Sequence, residues 1–204
     1  MKPFRSVLFV VLMSLFTMAF AQSNAHQPVD KPAPSEAQKA VDKPAPSDAQ
    51  KAFDKLKTVA GSWVGQLTTF PQEPTVEGNF AQFSLRVTSM GHALVHELSL
   101  SGRPDHPVTM FYLEGDRLLL THYCDAGNRP RMVGKVSPDG KTVEFDFLDL
   151  SGGNQYGHMH HVVFTFIDEN HHTEDWTWMG PGDKPVRAHF DLQRTNAGGA
   201  ASGK

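Results

Sequence analysis

The sequence predicts an all-β domain: an antiparallel up-and-down β-barrel of about ten strands, preceded by a short N-terminal helix. From Ser62 onward, short runs of β-branched, aromatic and aliphatic residues follow one another with no helical pattern between them. Hairpin signals such as Glu114-Gly115-Asp116 and Pro138-Asp139-Gly140 separate these runs. A long meander loses its exposed edges by closing into a barrel, and a two-sheet sandwich is the alternative that the pattern leaves open.

The helix is predicted from its two ends. Ser47-Asp48-Ala49-Gln50 is a capping box, in which a serine N-cap precedes a glutamine three residues later. Gly61 is a suitable stop, so we expect one helix over residues 48–59 that lies against the domain. The predicted strands that follow cover residues 62–69, 80–88, 92–100, 107–113, 116–123, 130–136, 142–149, 158–168, 172–179 and 185–194.

The first residues predict export. Lys2 and Arg5 give a positive start, and the run from Val7 to Phe20 is almost entirely apolar. Ala19-Phe20-Ala21 fits the small-x-small cleavage rule, so residues 1–21 are predicted to be a signal peptide. An uncleaved anchor is disfavoured because a spanning helix needs about 20 apolar residues. We therefore expect a periplasmic or secreted protein with no stable membrane insertion after cleavage.

A repeat-rich linker is predicted between the signal peptide and the barrel. Residues 22–46 are rich in proline and alanine, and the unit Val29 to Ala40 recurs at residues 41–52 with one substitution. Two short units cannot bury a core, and Pro-Ala segments favour extended backbone, so a spacer is the expected role. The barrel domain is predicted over residues 47–195, followed by a disordered C-terminal tail at 196–204.

Composition excludes several classes of function. The formal net charge is −3 and the basic residues are scattered, so nucleic acid is not an expected partner. Cys124 is the single cysteine and cannot form an internal disulfide; it is either buried and inert or a free thiol. No Gly-x-Ser-x-Gly elbow, phosphate loop or dinucleotide fingerprint is present.

The start of the domain resembles a known group of barrels. Gly61-Ser62-Trp63-Val64-Gly65 is similar to the lipocalin and fatty-acid-binding group and to nitrobindin-type haem barrels. The run from Phe111 to Met132 resembles uncharacterised exported bacterial lipocalin-like domains, and the likeness extends over residues 53–195. The resemblance implies a calycin-type barrel in which Trp63 closes one end. In nitrobindin-type barrels a histidine late in the barrel ligates haem, and several late histidines are available here.

Alternation along the strands predicts which histidines face the interior. Side chains of a strand alternate between the two faces, so residues two apart share a face. Histidines that share a face with the apolar residues of their strand are predicted to point inward. Five imidazoles meet this condition, and His189 does not. The inward set is His96, His122, His158, His160 and His172, with Cys124 and Glu174 on the same faces.

These interior residues give two candidate sites. Trp63, His96, His122, Trp176 and Trp178 are the predicted ligand-binding residues, because an apolar cavity with a few polar groups suits a small apolar molecule. His158 and His160 are the predicted metal ligands, because they share one strand face and neutral imidazole ligates Zn²⁺ and haem iron.

The first expectation is therefore an exported, non-enzymatic protein that holds a small apolar molecule in a barrel cavity. The alternative is a haem- or metal-binding barrel of nitrobindin type that uses interior histidines. An enzyme of unknown reaction is the second alternative, and no catalytic residue is assigned to it. A barrel filled by its own side chains, without a ligand, also stays open, and the oligomeric state is not predicted.

Overall fold

The computed structural model describes residues 45–195, which form one α-helix, one short 3-10 helix and ten strands. In chain order these are α1 (Asp48–Lys57), β1 (Gly61–Phe70), β2 (Phe80–Thr88), a 3-10 helix (Ser89–Gly91), β3 (Ala93–Leu100), β4 (Val108–Glu114), β5 (Arg117–Tyr123), β6 (Arg129–Val136), β7 (Thr142–Ser151), β8 (His158–Phe166), β9 (His171–Gly180) and β10 (Lys184–Arg194). The predictions for the signal peptide, for most of the linker and for the C-terminal tail lie outside the described residues.

The ten strands form a closed antiparallel barrel, as predicted. Each strand pairs with its neighbours in chain order, and β1 pairs with β10 to complete the ring. This closure excludes the two-sheet sandwich. Every predicted strand is present with ends within two residues of the observed ones. No helix between residues 45 and 195 is long and apolar enough to cross a bilayer.

Gly65 permits the closure of the ring between β1 and β10. It lies opposite Leu192, and a Cβ atom at this position would overlap the carbonyl oxygen of Asp191. Only glycine lets the two backbones approach this closely. The close approach at Gly65 therefore lies at the seam of the barrel.

Helix α1 covers one end of the barrel. The Ser47 hydroxyl accepts a hydrogen bond from the backbone N–H of Gln50 at 3.1 Å, which confirms the predicted cap. Ala52, Phe53 and Leu56 are buried and join the main core, where the helix contacts β4, β5, β6 and β7. We call this end, at which β1 begins, the closed end, and the opposite end the open end.

Trp63 packs at the closed end and is 1% exposed. Its indole N–H donates to the Val59 carbonyl at 2.8 Å, and the Arg194 guanidinium lies 4.1 Å from its ring centroid. Arg194 also donates to the Ala60 carbonyl at 2.8 Å. The His172 ring lies perpendicular to the Trp63 ring, with 4.2 Å between their centroids. These contacts join the segment between α1 and β1, strand β9 and the end of β10 around one aromatic ring.

We predict that Trp63→Ala lowers the free energy of unfolding by about 3–5 kcal/mol, the usual cost of removing a large core aromatic. Trp178→Ala is the matched control, because Trp178 is only partly buried and lies in the wall near the open end. Its expected cost is smaller. Urea titration of the two variants measures both values. Equal losses below about 1 kcal/mol would show that Trp63 does not hold the closed end together.

Candidate functional site

A cavity of about 640 Å³ lies inside the open half of the barrel. This volume is typical of small-molecule sites, which are mostly apolar with a few placed polar groups. The walls are apolar side chains from β1, β3, β8, β9 and β10. They include Leu67, Leu98, Leu100, Met159, Trp176, Trp178, Val186, Ala188 and Phe190.

The rim of the cavity is charged and internally paired. Arg103, between β3 and β4, donates to Asp105 at 3.1 Å and to Asp125 at 2.8 Å, and so ties two rim loops together. Cys124 also borders the cavity. Burial, with a smaller effect from the Asp125 and Asp105 carboxylates, raises the pKa of its thiol to about 12. The thiol is therefore protonated at neutral pH, which favours the inert one of the two roles predicted for Cys124.

Three polar side chains from adjacent strands form the floor of the cavity: His96 on β3, Thr109 on β4 and His122 on β5. The strand register pairs Thr109 with both histidines, so the three lie in one row across the barrel wall. They are 2%, 1% and 5% exposed, respectively. The Thr109 hydroxyl and the Nδ1 atom of His122 are 2.8 Å apart and hydrogen-bonded.

Below the floor, the carboxylate of Glu174 joins strands from opposite parts of the chain. Glu174 is 0% exposed. Its Oε2 accepts from His96 Nε2 at 3.0 Å and from the indole N–H of Trp176 at 2.9 Å. Its Oε1 accepts from His172 Nε2 at 3.1 Å. Three N–H donors thus surround one buried carboxylate, which is the arrangement that a buried charge requires.

The environments of Glu174 and His122 fix their protonation states. Burial by itself would raise the pKa of Glu174, but the facing His96 and His172 outweigh it and hold that pKa below its ordinary value. Glu174 is therefore ionised. Burial, with a smaller coulombic effect from nearby His96, lowers the pKa of His122 to about 3. His122 is therefore neutral at physiological pH.

The structure brings four of the five predicted ligand-binding residues together. His96, His122, Trp176 and Trp178 all line the cavity. The ring of Trp176 lies 5.5 Å from that of His96 and 5.4 Å from that of His122, centroid to centroid. Trp63 is at the closed end and is not part of the cavity lining.

The predicted metal pair lies close together but apart from this cavity. His158 Nε2 and His160 Nδ1 are 3.2 Å apart, and the Phe147 ring stacks on His160. A β-bulge between Met159 and His161 adds one residue to β8, so Met159 lines the cavity and neither member of the pair does. The expectation of strict alternation through this segment is wrong for that reason. The proposed metal role of the pair stays a prediction.

One three-ligand cluster occurs among residues 45–195. Glu144, Asp146 and His161 offer ligand atoms within 4.8 Å of one another. Lys135 already pairs with Asp146 at 3.0 Å and with Glu144 at 3.4 Å. One ammonium group therefore already pairs with both carboxylates, and we assign the cluster no metal.

Sequence reasoning missed Thr109 and the central position of Glu174. Thr109 has a detectable signal, because the turn at Gly115-Asp116 pairs Glu114 with Arg117 and so aligns Thr109 with His122. Glu174 shares a strand face with Trp176, but its partner His96 is 78 residues away in the chain. Only the closed barrel brings these two together.

These features define a closed ten-stranded antiparallel barrel of lipocalin-like fold, covered by a helix at one end and carrying a cavity at the other. The solved structures to which it is similar include Rv2717c from M. tuberculosis, with a TM-score of 0.52, 15% identity, and coverage of 71% of this chain and 98% of that one. A protein of unknown function of the DUF3598 family from Nostoc punctiforme gives a TM-score of 0.50 at 12% identity. That match covers 69% of this chain, which spans 49% of the Nostoc protein.

At these identities the likeness shows the fold alone. No protein-family model matches the chain. No curated protein matches it either.

We predict that acid destabilises the barrel through His122 and Glu174. Unfolded His122 takes up a proton near pH 6.5, whereas folded His122 stays neutral to about pH 3. The unfolded chain therefore binds more protons in this window, and the free energy of unfolding falls as the pH falls, by about 1.4 kcal/mol per pH unit for one proton. The contribution of Glu174 is present above its unfolded pKa of 4.5 and is lost below it.

Urea titrations between pH 7 and pH 3.5 measure this slope. His122→Gln should flatten it between pH 6.5 and pH 4.5, because an amide does not titrate. His92→Gln is the control, since His92 is an exposed histidine at a turn. An unchanged slope in His122→Gln would contradict this, because it would mean that His122 takes up its proton over the same pH range in the folded and the unfolded chain.

Proposed function

We propose that the protein binds one small, mostly apolar molecule in the open-end cavity, and that it does so in the periplasm or outside the cell. The main support for this proposal is a cavity of about 640 Å³ whose walls are apolar and whose polar groups converge on the floor. Such a combination binds by excluding water from an apolar body while a few polar contacts set its orientation. The location follows from the predicted signal peptide at residues 1–21.

The aromatic wall supports binding because it is held in place before a ligand arrives. The Trp176 indole N–H is bonded to Glu174, so its ring is held against the two floor imidazoles. A fixed aromatic surface loses little side-chain entropy on binding. Trp178 continues this surface toward the open end.

The loop between β1 and β2 supports access from the open end. Pro71, Glu73 and Val76 of this loop border the cavity. The Glu77 carboxylate accepts hydrogen bonds from the Thr69 backbone N–H at 2.7 Å and from the Thr69 hydroxyl at 2.6 Å. These two bonds tie the loop to the end of β1 and hold it beside the entrance.

Haem or metal binding is a second candidate, favoured by the two imidazoles on the cavity floor. His96 and His122 each use one ring nitrogen within the protein and have the other left for a ligand. The arrangement that the nitrobindin resemblance implies does not fit this chain, because no histidine of β8, β9 or β10 in the described residues lines the cavity. A haem would therefore need His122 on β5, and the apolar ligand remains the first proposal.

We predict that the fluorescence of N-phenyl-1-naphthylamine rises and saturates when it is titrated into the protein. Ala188→Phe, which fills the cavity, should weaken this binding by about tenfold or more. Arg187→Phe is the matched control, because Arg187 is the neighbouring residue and its side chain is 60% exposed. It should bind the probe as the parent protein does.

The absence of saturable binding, or equal binding in the two variants, would contradict a ligand cavity. A parallel titration with haemin tests the second candidate. A one-equivalent Soret band that His122→Ala abolishes, in a protein that does not bind the naphthylamine, would favour haem over an apolar ligand.

A further inference from the structure

We propose that the cavity floor selects apolar molecules whose buried end carries an acceptor-only oxygen group, either a carbonyl or a carboxylate, held by His96 Nδ1–H and His122 Nε2–H. The inference rests on the proposed function and deepens it by naming the chemical class of the ligand. It depends on which ring nitrogens carry protons, and the buried partners of the two imidazoles determine this.

The proton of His122 is placed by Thr109. The Thr109 hydroxyl is 1% exposed, and His122 Nδ1 is its one hydrogen-bond partner among the residues that the structure describes. The hydroxyl must donate to Nδ1, because otherwise its hydrogen would be buried without an acceptor. Neutral His122 then carries its own proton on Nε2. That N–H is the polar group that His122 offers to the cavity.

One proton of His96 is placed by Glu174. The Nε2 atom of His96 lies 3.0 Å from one carboxylate oxygen of Glu174 and 3.3 Å from the other. Because an ionised carboxylate only accepts hydrogen bonds, Nε2 carries a proton. The remaining ring nitrogen, Nδ1, is the one that His96 can direct to a ligand, since His96 lines the cavity and Glu174 does not.

The second proton of His96 follows from the charge of Glu174. A fully buried carboxylate needs a cationic partner, and the two candidates are His96 and His172. His172 is 0% exposed, and its Nδ1 has no hydrogen-bond partner in the described part of the chain. Protonating His172 would bury an unsatisfied N–H. The positive charge therefore lies on His96, whose Nδ1 becomes a second donor beside the cavity.

Two N–H donors and no exposed acceptor then define the floor. A carbonyl or carboxylate oxygen has the lone pairs to accept both hydrogen bonds. An alcohol would bring a hydroxyl hydrogen that needs an acceptor. The Glu174 oxygens accept three N–H donors and do not line the cavity. The Thr109 oxygen keeps its lone pairs, but Thr109 is 1% exposed and its hydroxyl is turned to His122. A hydrocarbon would leave both donors without partners. In a dry site each mismatch carries a desolvation cost.

Competition against bound N-phenyl-1-naphthylamine tests this with four ligands of nine carbons each. Propylbenzene, 1-phenyl-1-propanol and propiophenone differ only in carrying CH₂, CHOH or C=O at one carbon, and 3-phenylpropanoate supplies the carboxylate. We expect propiophenone, 3-phenylpropanoate or both to displace the probe at a concentration about tenfold below that of the alcohol and the hydrocarbon. The better of these two ligands identifies the carbonyl or the carboxylate as the preferred group.

Two variants test whether His122 and Thr109 cause the preference for a carbonyl or carboxylate ligand. His122→Phe removes one donor and keeps an aromatic ring, and Thr109→Val removes the hydroxyl that positions His122 while conserving shape. In both variants the probe should still bind, and the concentrations at which the four ligands displace it should lie within about threefold of one another. His160→Phe is the control, because His160 does not line the cavity, and it should keep the preference of the parent protein. Thermal unfolding of each variant confirms that it is folded before the titrations are compared.

The outcomes separate the two proposals. Saturable probe binding with the alcohol or the hydrocarbon equal to or better than both acceptor ligands overturns the inference and leaves the apolar cavity intact. An equal loss of the preference in His160→Phe and His122→Phe also overturns the inference alone. Absence of probe binding to the parent protein overturns the proposed function, and the inference with it.

Discussion

The buried carboxylate of Glu174 is the constraint on which the interior depends. It is 0% exposed, so it is tolerated only because His96, His172 and Trp176 all donate to it. These partners connect β3 and β9, which are far apart in the chain and meet only in the closed barrel. The network divides the interior: on one side His172 meets Trp63 and the side chains of the closed end, and on the other His96 opens to the cavity.

This buried network determines the protonation states of the side chains on the cavity floor. Burial keeps His122 neutral, and the nearby His96 has a smaller coulombic effect in the same direction. The hydroxyl of Thr109 orients the neutral ring in the same way that an outer partner orients a ligating or catalytic histidine. Apolar walls above this floor provide binding area, whereas the few buried polar groups decide which molecules fit.

Much of the fold was predictable because hairpin turns and alternation are local. The glycine turns indicated the number of strands. The alternation of side chains along each strand correctly predicted the cavity side for His96, His122, Trp176 and Trp178. The same counting failed at β8, where a bulge between Met159 and His161 interrupts the alternation. No repeating pattern of residues in the sequence marks the position of such a bulge. The Glu174 network was not predictable, because its members meet only once β1 and β10 close the ring.

Long-range ¹H–¹⁵N correlation spectra of the imidazole rings at neutral pH measure the protonation of each nitrogen directly. The contacts of Glu174 and Thr109 predict that His96 is protonated on both nitrogens, and that His122 and His172 are neutral with the proton on Nε2. A neutral His96 beside a doubly protonated His172, or a His122 protonated on Nδ1, would contradict this arrangement. Either result would mean that the floor of the cavity does not present two donors to a ligand.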